Sequence, residues 1–226
     1  MIIMNVGKTF YCYMKSNGFA NAMRKTFFHI SHKVKQKLAS KDVLSKKPIT
    51  VMTSVNDVLE ADFMEHPYQV PSKLQKHGLK IGWVLSPISI GSGGQHTIAR
   101  FAKSLQERGH EVTFFIYESI AQQPADYAHE LLKEHFDIDV QCRPMAEAEN
   151  FDGDVMFATG WETAYPVFNM SIPAHKMYFV QDFEPLFYGT GSKSVLAENT
   201  YRFGFYGVTA GRWLTQKVAE YGMPAD

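Results

Sequence analysis

Apolar residues in the second two-thirds of the chain fall into short continuous runs, alternating with segments where they recur every three or four positions. The run Ile81–Leu85 predicts a buried strand, and Gly91, Ser92, Gly93 and Gly94 come after it as a tight backbone turn. Ile98, Ala99, Phe101, Ala102 and Leu105 then stand at helical spacing. Gly109 stops that helix, and Val112–Tyr117 gives a second β-branched and aromatic run. Strand, glycine turn, helix, strand is the opening βαβ unit of a doubly wound sheet. The same rhythm continues, with strands predicted at 80–86, 111–117, 138–142, 153–158, 176–181 and 205–210. Helices are predicted at 95–108, 124–135, 161–169, 192–203 and 212–221. The implied fold class is α/β, a mostly parallel, Rossmann-like sheet covered on both faces. Ligands of such sheets bind at the carboxyl ends of the strands, where helix amides favour an anionic group.

Upstream the pattern differs. Phe19, Met23, Phe27, Ile30, Val34 and Leu38 step by three and four through residues 18–38, one apolar stripe on a helix otherwise rich in lysine. Charge sharpens this picture. Residues 1–50 hold ten Lys and Arg against the single acid Asp42, although the 226-residue chain is neutral as a whole. Two readings stand for 18–38: a helix packed on its own domain, or an interfacial anchor with its lysines on anionic headgroups. The charge surplus favours the anchor and an anionic membrane surface as partner. Nucleic acid is not expected, because basic arms that bind it usually lack such a stripe. Residues 40–79 read as linker, with a short acidic helix over Asp57–His66. The expected division is therefore 1–69, a basic amphipathic extension and linker, and 70–226, the Rossmann-like domain.

Composition excludes several classes. With 45% apolar and 14% aromatic residues the chain is globular and not disordered. Cys12 and Cys142 make no disulfide framework, and no run of 18 apolar residues or signal-peptide pattern is seen. The cytoplasm is the expected compartment, with peripheral attachment to the inner face of the plasma membrane. No H-E-x-x-H or similar spacing occurs, so no metal is expected.

Candidate chemistry gathers in four places. Gly91 and Gly93 fit the start of G-x-G-x-x-G, and Glu118 stands at a suitable distance for a ribose contact, but His96 occupies the third glycine position. A bulky ring there argues against a small dinucleotide-dependent oxidoreductase. In YFVQDFEPLFY a strand ends at Gln181 and Asp182, with Phe183 and Glu184 in an aromatic loop. Asp182 can accept a proton or orient a sugar by hydrogen bonds, or it can simply cap a turn, its aromatic neighbours being core. In TGWE, Trp161 suits sugar stacking or a core lid, and Glu162 suits a helix N-terminus. Arg212 begins the last helix and can contact a phosphate. Arg202 is expected to pair with a surface acid.

The segments KIGWVLSPISIGSGGQHTIARFAKSLQERGHEV, GDVMFATGWETAY and YFVQDFEPLFYGTGSKSVLAENTYRFGFYGVTAGRWL together resemble the amino-terminal domain of bacterial rhamnosyltransferases that extend S-layer and surface-polysaccharide glycans. These are retaining enzymes of two Rossmann domains. The resemblance covers roughly residues 70–226. It implies that this domain binds the acceptor polysaccharide, and that a second domain holds a nucleotide-sugar co-substrate such as dTDP-rhamnose, with no other cofactor. By position it places Gly93, Gly94 and Arg212 at the donor phosphate. It places Trp161, Glu162, Gln181, Phe183 and Glu184 on the acceptor side, and Asp182 as the catalytic carboxylate. Related enzymes carry a His-Asp pair where this chain has Gln181 and Asp182, so Asp182 is expected to orient substrate and not to abstract a proton. The chain ends at Asp226, where a linker to the donor domain would begin, so it is expected to be a truncated product or isolated first domain, inactive alone. The alternative from another class is a stand-alone glycan-binding module.

Overall fold

The computed structural model describes residues 53–71, 78–118 and 122–226. The basic stripe at 18–38 lies outside the described residues. The chain divides into two units, Met1–Ile49 and Thr50–Asp226, and the fold belongs to the second.

Six strands form one all-parallel sheet: β1 (Lys80–Leu85), β2 (Glu111–Ile116), β3 (Gln141–Pro144), β4 (Val155–Ala158), β5 (His175–Val180) and β6 (Tyr206–Thr209). Their spatial order is β3-β2-β1-β4-β5-β6. This is the dinucleotide-fold order, in which the winding reverses between β1 and β4. The doubly wound, Rossmann-like expectation is met.

Alternation along the strands sorts the core into two layers. Ile81, Trp83, Leu85, Phe114, Ile116 and Phe157 face one side, beneath α2 (Gly93–Glu107) and α3 (Ala125–His135). Val84, Phe115, Met156, Ala158, Tyr178 and Val180 face the other, beneath α4 (Trp161–Asn169), α5 (Ser192–Asn199) and α6 (Arg212–Ala219). Trp83 sits at the centre of the first layer, stacked on Phe157 at 4.3 Å and edge-on to Phe179 at 5.4 Å. Each helix starts where its strand's carboxyl end delivers it. Helix α2 is capped by Ser92, whose hydroxyl accepts the Gln95 amide, and Gly109 comes just after its end at φ +86°, a conformation that favours glycine.

Residues 53–71, read from sequence as linker, are part of this unit. They carry a short helix, α1 (Val55–Glu60), whose cap Ser54 accepts the Asn56 amide. The Tyr117 hydroxyl donates to Asp57 at 2.5 Å and accepts the Ser54 amide at 2.7 Å. Tyr68 accepts the Lys176 amide at 2.9 Å. The expected helix at 57–66 is thus shifted, and ends before the turn Asp62–His66, which a carboxylate–imidazole contact closes at 2.9 Å.

Candidate functional site

The carboxyl rim between β1 and β4 is where three loops are fastened together. The β1 loop is held from within: Gln95 donates to the Pro87 carbonyl at 3.0 Å and accepts the Ser89 amide at 2.8 Å. Gln123, from the approach to α3, brackets Ile88 by accepting its amide and donating to its carbonyl. After β4, Thr159 donates to the Val84 carbonyl at 2.7 Å, and Glu162 in the first turn of α4 folds back to accept the Ser86 hydroxyl at 2.6 Å. Gly160 makes that fold possible by space and not by backbone angle. A Cβ there would stand 2.8 Å from Oε2 of Glu162. The outcome is a partly exposed carboxylate bridging two loops at the reversal of winding.

The third loop comes after β5. Gln181 lies against the start of α2, its amide 3.4 Å from where a Cβ on Gly94 would be. Glu184 is only 8% exposed, opening a 3-10 turn over Glu184–Phe187. Its Oε2 accepts the Trp161 amide at 2.6 Å and the Tyr178 hydroxyl at 3.2 Å, while its own amide donates to Tyr201 at 3.2 Å. Burial, then the nearby Glu162 carboxylate, push the Glu184 carboxyl up to about 8, against the two hydrogen bonds that favour its charged form. Burial and the Glu184 charge likewise raise the Tyr178 hydroxyl far above its ordinary value.

The structure brings some expected site residues together and separates others. Gly94 meets Gln181, Glu162 meets the β1 loop, and Glu184 meets the start of α4. The rings of Trp161 and Phe183 are 1% and 4% exposed and offer no face for stacking. Trp161 donates its indole N–H to Tyr188 at 2.9 Å, and Phe183 stacks on Tyr201 at 5.5 Å. For both rings the core reading holds, and the expected sugar contact does not. Asp182 is exposed at the rim, with Oδ1 accepting the Phe183 amide at 2.7 Å. Arg212 is exposed at the head of α6, beside edge strand β6. Gly93 and Gly94 come after β1, three strands away in the sheet order, roughly 14 Å by strand spacing. Arg202 pairs with Glu198 at 2.9 Å, as expected from its place among surface acids.

Two further observations correct the expectations from sequence. The His96 ring turns outward onto Phe136, at 4.2 Å between centroids, and does not obstruct the contact between helix and sheet. Glu118 accepts the Gln123 amide at 3.0 Å. Sequence reasoning also passes over two rim residues. Ser86 comes directly after β1 at the start of its loop, and Trp213 stands beside Arg212, 56% exposed. Apart from the rim, a groove of about 500 Å³ runs along the flank of α2 past Arg100, Phe101 and Arg108. Among the described residues, no group of three or more His, Cys, Asp or Glu is placed to hold a metal ion. None of the described helices is long and apolar enough to cross a membrane.

Residues 126–209 match the family model described as "WsaF, N-terminal domain". Over 131 residues, 56% of this chain, the sequence is 36% identical to the O-antigen biosynthesis protein RfbC of Myxococcus xanthus. The matched part is 10% of that protein's length, so the chain spans a small portion of this relative. Both matches bear out the resemblance to the amino-terminal domain of the S-layer and surface-polysaccharide rhamnosyltransferases.

Proposed function

We propose that residues 70–226 form the acceptor-side domain of a glycosyltransferase of bacterial surface-polysaccharide synthesis, with the β1–β4 rim as one wall of its crevice. One observation carries the reading: the Glu162 carboxylate, bridged to Ser86 where the winding reverses, sits on a fold whose sequence matches the WsaF amino-terminal domain. A partly exposed carboxylate held by a serine hydroxyl is a hydrogen-bonding surface suited to sugar hydroxyls. Gly93 bears no close neighbour where a Cβ would stand, and its amide opens α2, which leaves room for a diphosphate brought from a donor domain. In the intact enzyme rhamnose, or a similar sugar, would pass from a nucleotide-sugar to a growing polysaccharide. Asp182 would orient substrate, and catalysis would rest on positioning and on stabilising the leaving diphosphate. The setting is the cytoplasmic face of the plasma membrane, with residues 18–38 as anchor.

Calorimetric titration of the 226-residue chain with rhamnose-rich polysaccharide fragments, and separately with dTDP-rhamnose, tests this. Glycan binding with little or no nucleotide-sugar binding is the expected result. Absence of glycan binding overturns it.

A further inference from the structure

Three tryptophans are present, and the core takes two of them. Trp83 and Trp161 are each 1% exposed, whereas Trp213 presents 56% of its surface at the carboxyl rim. An exposed indole is a large apolar area to leave in water, and a polar frame around it marks a recognition site. Trp213 is held in place from below. It meets the buried Phe183 edge-on at 6.5 Å, and Lys217, one helical turn further along α6, lies over the same Phe183 ring at 5.1 Å.

The polar frame comes from strand register. Val180 pairs with Thr209, and the Ala210 amide donates to the Val180 carbonyl at 3.0 Å. Asp182 and Arg212 each lie two residues beyond that bond, on neighbouring strand exits about 4.8 Å apart by sheet geometry. Both are exposed. Asp182, Arg212 and Trp213 therefore all stand exposed at the adjoining exits of β5 and β6.

We propose that Trp213, with Asp182 and Arg212, forms a subsite for one pyranose ring of a polysaccharide. A pyranose has an apolar C–H face that lies flat on an indole, and hydroxyls at its edge. A carboxylate accepts from those hydroxyls, and a guanidinium donates to them. An acyl chain would use the ring but would leave the Asp182 carboxylate without a partner. The subsite rests on the proposed acceptor role and supplies the stacking ring that Trp161 and Phe183, both buried, do not.

Because Trp83 and Trp161 are buried, the acrylamide-quenchable part of the emission reports mainly on Trp213. Rhamnose-rich oligosaccharide released from bacterial surface polysaccharide is titrated into the full chain, and acrylamide quenching and calorimetry are read in parallel. Expected are a blue shift and at least a twofold drop in quenching at saturation. The shift disappears in Trp213→Phe, and affinity falls at least tenfold in Trp213→Ala. Melting temperatures of both variants stay close to that of the parent, since the side chain is exposed. Glycan binding with unchanged emission and unchanged Trp213→Ala affinity overturns the subsite and leaves the acceptor role intact. No heat of glycan binding overturns both. A blue shift with anionic phosphatidylglycerol vesicles but none with glycan overturns the subsite in favour of a membrane-facing rim.

Discussion

Glu184 is a carboxyl group whose surroundings oppose its charge while its hydrogen bonds demand an acceptor. Burial and Glu162 raise it to about 8, well above an ordinary carboxyl. The folded form therefore binds the proton more tightly than the unfolded chain. Its contribution to stability is complete below the unfolded value near 4.5 and is lost as pH climbs through about 8. Glu184→Gln keeps an oxygen for the Trp161 amide and the Tyr178 hydroxyl without the charge. We expect the variant to flatten the fall in melting temperature between pH 5 and 8.5, and to melt above the parent at pH 8.5. An unchanged pH profile would show that Glu184 does not titrate there. Ser86→Ala removes only the hydroxyl that fastens Glu162. It is expected to weaken glycan binding about three- to tenfold, on the order of one ordinary hydrogen bond, because the carboxylate loses its tether. The sequence brings Trp161, Gln181, Asp182 and Glu184 to one rim, because each comes after a recognisable strand. It does not tell which rings turn inward. Trp161 is buried by Tyr188, 27 positions on, and by Glu184, while Trp213 is left outside by the direction of α6, and no local pattern records either.

At the scale of elements, strong periodicity is readable and weak periodicity is not. Helix α4 spans the predicted residues 161–169, and β1, β2 and β5 match within one residue. Strand β3 is displaced to Gln141–Pro144, because Ile138 and Val140 alternate for the sake of core packing before pairing with β2 begins at Gln141. The helix predicted at 192–203 breaks after Asn199 into a 3-10 turn, where the Thr200 hydroxyl bonds the Ala197 carbonyl at 2.7 Å. Lys176 shows how elements are joined. Its ammonium donates to the Phe168 and Met170 carbonyls at the end of α4, and it lies 5.4 Å from the Tyr68 ring centre, with the residue 6% exposed. Burial lowers it to about 8. Between about 8 and 10.5 the unfolded chain thus holds more protons, and stability from this group rises with pH. Lys176→Met is expected to remove that rise in a pH series of melting curves. It should also cost about 1–3 kcal/mol at pH 7, because two helix-end carbonyls lose their donor.

Across the whole molecule, the β6 edge of the sheet is covered by Pro224–Asp226. Gly207 donates to the Pro224 carbonyl at 2.8 Å and accepts the Asp226 amide at 3.1 Å, and Thr209 donates to the Asp226 carbonyl at 2.8 Å. Gly207 pairs in parallel with Ala225, and a Cβ at Gly207 would stand 2.9 Å from that of Ala225. Gly207→Val is therefore expected to detach the strip and lower the melting temperature by several degrees, which calorimetry would register. Light scattering should then show self-association, as expected of an uncovered edge strand. The opposite margin is guarded differently. Strand β3 has four residues and finishes at Pro144, which has no N–H to give. Among the described residues, one flank of the β-layer is zipped shut by that short strip and the other is cut short by a proline, so a visiting strand finds little seam to extend. Docking by β-augmentation is thereby disfavoured on both sides, which leaves the crest where the loops gather as the open approach to the sheet.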